Sequence, residues 1–156
     1  METLMTLPVN EVHVVTGKYL ASFLSTLIMI SPSIFYVITT AIFGDPDVGP
    51  IIGGYIGTIF LCAGFTAVGV FASSVTKNQI IAFFTGFIIC IALTMIDTFL
   101  VFLPSNIVEF VSYISADMHF RSITQGIIDS RDLVYFITVF ALFFTATIKV
   151  QQNAKK

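Results

Sequence analysis

Residues 51–75 read IIGGYIGTIFLCAGFTAVGVFASSV, a run with no charged side chain and with small residues at Gly53, Gly54, Gly57, Ala63, Gly64, Ala67, Gly69 and Ala72. A run of this length and apolarity is what a helix needs to cross a bilayer core of about 30 Å. Its glycines would be costly in an exposed soluble helix, whereas in lipid they let neighbouring backbones approach closely. Gly53-x-x-x-Gly57 and Ala63-x-x-x-Ala67 are small-xxx-small pairs, and with Gly64 they form a helix-packing stripe. Such a stripe fits either packing within the bundle or contact with another subunit.

Three further spans follow by the same reading. The first runs from Tyr19 to Phe43 and closes at Gly44-Asp45-Pro46-Asp47, which is turn chemistry. Pro32 should bend it, and the hydroxyls of Ser31 and Ser33 can satisfy the carbonyl that proline frees. Only Thr76-Lys77-Asn78 separates residues 51–75 from the third span, 79–103, so these two form a tight antiparallel hairpin. The fourth span, 133–148, measures about 24 Å by helical rise and would borrow a turn from the residues before it. Asp129 or Ser130 can cap its start.

Composition agrees with lipid as the solvent. In 156 residues, 56% are hydrophobic and 10% charged, with a mean hydropathy of +0.98, far from the habit of soluble domains. A formal net charge of −2 lacks the basic face that nucleic acid demands. The sequence therefore predicts an all-α integral membrane bundle of four transmembrane helices forming one domain.

Orientation follows from the basic residues. Lys18, Lys77, Lys149, Lys155 and Lys156 fall on one side of this topology, and Arg121 and Arg131 on the other. The lysine side is then cytoplasmic, with residues 1–18 and the tail 149–156 both inside.

Two stretches do not read as spans. In 104–132, Ile107, Phe110, Val111, Ile114 and Met118 recur at helical spacing, and Phe120, Ile123 and Ile127 repeat the pattern. This predicts two short amphipathic helices on the outer side, the first starting at Asn106 with Glu109 as a capping box. They fit either a cover over a path through the bundle or a plain loop pair. At the amino end, Pro8 is placed as a first helical residue, and Val12, Val15 and Tyr19 continue into the first span, predicting a short cytoplasmic helix.

The chemistry-bearing residues are sparse. Cys62 and Cys90 sit in apolar runs without metal or redox spacing. His13 and His119 have no second ligand at metal spacing, which favours solvated or hydrogen-bonded positions. Asp97 is the one acid within a span, roughly 27 Å along a helix that enters from the cytoplasm. It fits an interfacial structural acid or a pathway group. Asp129, Arg131 and Asp132 fit a helix cap with a surface ion pair, or a binding cluster. Together with Asp97 they are the candidates for a pathway or gate. No catalytic constellation, metal site or cofactor motif is predicted, so the chain is not expected to be an enzyme.

Several strings together resemble a known family. Glu2-Thr3-Leu4-Met5-Thr6-Leu7-Pro8-Val9 with Gly17-Lys18-Tyr19-Leu20 resembles the cytoplasmic turn before the third span of ABC-2 type permeases. The strings from Asp47 to Gly57, from Val70 to Gln79 and from Ile127 to Tyr135 look like the gliding-motility-associated permease branch, akin to permeases of copper-enzyme maturation systems. The resemblance implies a membrane subunit of an ATP-driven exporter in a bacterial inner membrane, paired with a second permease copy or paralogue. ATP hydrolysis would belong to a separate ATP-binding subunit, and no GxxxxGK[ST] phosphate loop occurs here. By the resemblance, the segment from Leu4 to Val15 is the coupling helix, with Leu4, Leu7, Pro8, Val9, Asn10 and Glu11 meeting the ATPase. The family pattern has six spans, so two more are expected ahead of Met1. A non-transporting anchor or assembly subunit is the alternative function, motivated by the few intramembrane polar groups and the glycine-rich helix.

Overall fold

The computed structural model describes residues 11–99, 113–126 and 129–154, and every regular element among them is a helix. In chain order these are α1 (Glu11–Ile30), α2 (Ser33–Phe43), α3 (Val48–Val75), α4 (Gln79–Phe99), α5 (Ala116–Thr124) and α6 (Ser130–Ala154). Four stretches are long and apolar enough to cross a membrane: Val12–Phe43, Val48–Val75, Gln79–Ile96 and Ser130–Asn153. The chain is thus an all-helical, multi-pass membrane protein by length and composition.

The first of these stretches joins α1 and α2 across the proline. Pro32 cannot donate to the carbonyl of Ile28, and the helix breaks at Ser31-Pro32. Ser31 Oγ donates to that same Ile28 carbonyl at 2.8 Å, and the backbone resumes with tighter bonds, Ile34 N to Ser31 O and Phe35 N to Pro32 O, both 3.1 Å. The hydroxyl thus joins Ser31 N, which donates to the same carbonyl at 3.3 Å, in place of the bond that proline removes. At its other end α1 already begins at Glu11, ahead of Tyr19. Between Pro8 and Pro32 the residue of lowest helical propensity is Gly17, and one glycine does not stop a helix that buries Val15 and Tyr19 on a common face.

α3 is the axis of the bundle. It packs against α1, α4, α5 and α6, and buries Gly53, Gly57, Gly64, Ala67, Val68, Val70 and Ala72. These residues explain its central place: a helix apolar all round can be enclosed on several sides, and small residues let the neighbours come close. In lipid the gain comes from van der Waals packing rather than from leaving water. The hairpin to α4 is made by Asn78, whose Oδ1 accepts from Ile80 N at 2.9 Å, and Thr76, whose Oγ1 accepts from Asn78 N at 3.2 Å. Gly86 of α4 lies close to Ala72 and Gly69 of α3.

α6 closes the other side of α3. It runs from Ser130 to Ala154, longer at both ends than 133–148, with Asp129 ahead of its first turn. Tyr19 of α1 knits the three helices together. Its hydroxyl donates to the carbonyl of Ala63 at 3.2 Å, and its ring meets Phe140 and Phe144 of α6 with centroids at 5.0 and 5.9 Å. At the same end Lys18 Nζ donates to Ser73 Oγ at 3.0 Å. By contrast, α2 buries none of its residues, and its Phe35, Tyr36, Ile42 and Phe43 stand exposed.

Candidate functional site: the α5 cradle

At the end of the bundle away from Lys18, the short helix α5 lies across the first turns of α3. Its bounds are set locally. Ser115, fully buried, caps the start by accepting from Met118 N at 3.4 Å, and Gly126 ends it with a φ of +82°, a left-handed conformation that glycine adopts without a Cβ penalty. Ala116 and Ile123 turn inward and are buried. Asp117 and Arg121, one turn apart, pair with each other at 2.8 Å on the exposed face of the helix.

Gly53 and Gly57 form the seat for this helix. A Cβ on Gly53 would fall on the carbonyl oxygen of Ile123, and one on Gly57 would lie 3.2 Å from Ile123 Cγ2 and 3.3 Å from the Phe120 ring. The first small-xxx-small pair of α3 therefore receives α5, not another span. Gly64 serves the bundle itself, facing Val139 and Phe136 of α6. Ala67 is buried beside it, and Ala63 contributes the carbonyl that holds Tyr19.

A polar cluster joins α5 to α6. His119 Nδ1 lies 2.6 Å from Asp132 Oδ1, and Nε2 lies 3.1 Å from the backbone carbonyl of Tyr113. The imidazole stacks on Tyr135 with centroids 4.4 Å apart and planes at 21°. Tyr135 in turn donates its hydroxyl to the carbonyl of Ile114 at 2.7 Å. Two side chains thus hold two successive carbonyls, strapping residues 113–114 to the helix pair.

Asp132 sits in the first turn of α6 and is 5% exposed. The helix N-terminus there favours a negative charge. Its Oδ2 is buried with no hydrogen-bond partner, so His119 is the side chain that compensates it. Asp129 caps the same helix, its Oδ1 accepting from Arg131 N at 3.2 Å and from Ser130 Oγ at 3.4 Å. Arg131 is exposed. Of the three residues grouped by the sequence, then, Asp129 acts as a cap, while Asp132 turns inward to His119 instead of forming a surface pair.

This cluster fastens segments together, with both ring nitrogens of His119 engaged. Among the described residues no group of three His, Cys, Asp or Glu could hold a metal. Two small grooves mark the surface, the first beside the cradle and the second farther along α3. One, of about 260 Å³, lies between the Pro32 bend, the start of α3 and Phe120, with Ser33 Oγ and Tyr55 Oη 2.9 Å apart on its wall. The other, of about 360 Å³, runs between α1 and α3 at Thr26, Cys62, Phe65 and Gly69.

Other expected site residues fall elsewhere. Leu4, Leu7, Pro8, Val9 and Asn10 lie outside the described residues, as does the amphipathic helix expected after Asn106. Glu11 opens α1 and Asp97 belongs to the end of α4; their side chains are outside the described ones. His119, expected at a solvated or hydrogen-bonded position, is hydrogen-bonded, and its partner Asp132 lies thirteen positions away. The available signals were the Ser115 cap and Gly126, which together fold the chain back onto α6. No family model, curated protein or solved structure matches this chain.

Proposed function

We propose that the chain is the membrane-spanning permease part of an ATP-driven exporter of the ABC-2 type, energised by a separate ATP-binding subunit and paired with a second permease. The reading rests on the family-like strings at the amino end, along α3 and at the start of α6, combined with four span-length helices. The observation that carries it furthest is the continuity of α1. The helix runs from Glu11 into the bundle and bears on α3 and α6 through Tyr19 and Lys18. A push delivered at Leu4 to Glu11 by a closing ATPase would travel along a rigid element to the packing axis.

In this reading the end bearing Lys18, Lys77 and Lys149 faces the cytoplasm of a bacterial inner membrane, and α5 lies on the outer side. Replacing both Leu7 and Val9 by Asp tests the docking assignment. The ATP-binding subunit is expected to be lost from the detergent-purified complex; full retention would remove the basis for calling this segment a coupling helix.

A second reading is a non-transporting anchor or assembly subunit. Its specific support is α2, which buries none of its residues and presents a long apolar surface. That reading expects the chain's cellular role to survive an ATPase-dead partner, whereas the exporter reading expects it to be abolished.

A further inference from the structure

We infer that His119 and Asp132 form a proton-dependent latch that fastens Tyr113 to the α5–α6 pair, so that loss of one proton releases this segment. The argument is a count of donors. The Tyr113 carbonyl, 3.1 Å from Nε2, can only accept a hydrogen bond. Asp132 Oδ1, 2.6 Å from Nδ1, also only accepts when ionised. A neutral imidazole carries one N–H, which serves one of these contacts and leaves the other as lone pair against lone pair. Both contacts form only when the pair holds two protons between them. These are imidazolium with carboxylate, or neutral imidazole with Nε2–H and a protonated Asp132 that donates to Nδ1.

The surroundings make that second proton matter. With Asp132 5% exposed and its Oδ2 unpartnered, the carboxylate depends on the imidazole and the start of α6 for compensation. After a proton is lost, the remaining N–H goes to the carboxylate, because a hydrogen bond to an ionised acceptor is about twice as strong as one to a neutral carbonyl. Tyr113 then loses its donor. Tyr135 keeps its hold on the Ile114 carbonyl in either state, so release pivots about that bond.

Among the described residues, the elements around the latch carry these further charged or titratable groups. α6 brings Asp129 and Arg131, both exposed and tied to its first turn, and α5 brings the Asp117–Arg121 pair. α3 brings Asp47, engaged with Gly49 N, and Tyr55, bonded to Ser33; α4 carries Asp97. The inference goes beyond transport, since the latch would work the same way in an anchor subunit.

The test uses the full chain in lipid nanodiscs with nitrogen-15 histidine and a carbon-13 carbonyl at tyrosine. The chain holds two histidines, so His13→Gln assigns the ring signals. As pH is raised from about 5 to about 9, the range that spans histidine chemistry, any step in which the pair drops from two protons to one is expected to leave Nε2 bare. The Tyr113 carbonyl signal should shift in step as its hydrogen bond is lost. In parallel, chymotrypsin should cut after Tyr113 about tenfold more slowly in the wild type than in His119→Gln at the acid end, and equally fast at the alkaline end. A ring that loses its proton while the Tyr113 carbonyl stays unchanged would overturn the latch. So would a protonation state constant across the whole range.

Discussion

Ile123 of α5 rests on Gly53 of α3 so closely that its carbonyl oxygen occupies the place where a Cβ on Gly53 would stand. The atom in the way is backbone, which cannot swing aside as a flexible side chain would. Gly53→Ala should therefore lift α5 off its seat and cost about 1–3 kcal/mol, the usual scale of overpacking. Gly54, one position along, has nothing within 4 Å of its would-be Cβ. Gly54→Ala should be neutral or stabilising by about 0.5–1 kcal/mol, through helix propensity. Thermal unfolding of both variants in one detergent checks the pair.

The burial of the His119–Asp132 pair, at side-chain exposures of 11% and 7%, sets the cost of breaking it. His119→Leu leaves Asp132 desolvated and alone, and should destabilise by about 3–5 kcal/mol. Replacing Asp132 by Leu as well should recover most of that loss, because the orphaned charge goes with it. Denaturation curves for the single and double variants read this directly.

Tyr135→Phe removes the hydroxyl that donates to the Ile114 carbonyl and keeps the ring under His119. A loss of about 0.5–1.5 kcal/mol is expected, the net worth of one hydrogen bond. Cleavage by a protease near residue 114 should accelerate accordingly, while the packing of α3 on α6 is untouched.

Ser31 and Pro32 should be coupled. With Pro32 in place, Ser31→Ala leaves the Ile28 carbonyl short of its hydroxyl donor and should cost about 0.5–1.5 kcal/mol. In a Pro32→Ala background the helix itself supplies that donor, so the same substitution should cost close to nothing. A double-mutant cycle on thermal stability measures the difference.

The spans, the Thr76–Asn78 hairpin and the proline bend with its serine were legible because each is a local signal: length without charge, turn residues, a missing N–H. Two things were not. The glycine stripe announced close approach without naming the neighbour, and Gly53 and Gly57 turned out to receive α5 while Gly64 receives α6. The His119–Asp132 pair joins two elements through a turn, and nothing in helical periodicity brings positions on separate helices together. Asp132 looked like a surface acid at a helix start; only the fold of α5 back over it buries it.

The most direct measurement on the proposed role is purification of the chain from its native membrane in mild detergent, with quantitation of whatever copurifies. The account predicts a phosphate-loop ATP-binding subunit in equal stoichiometry with the chain. Recovery of the intact chain with no ATP-binding subunit, under conditions that preserve the contacts of α1 with α3 and α6, would contradict it.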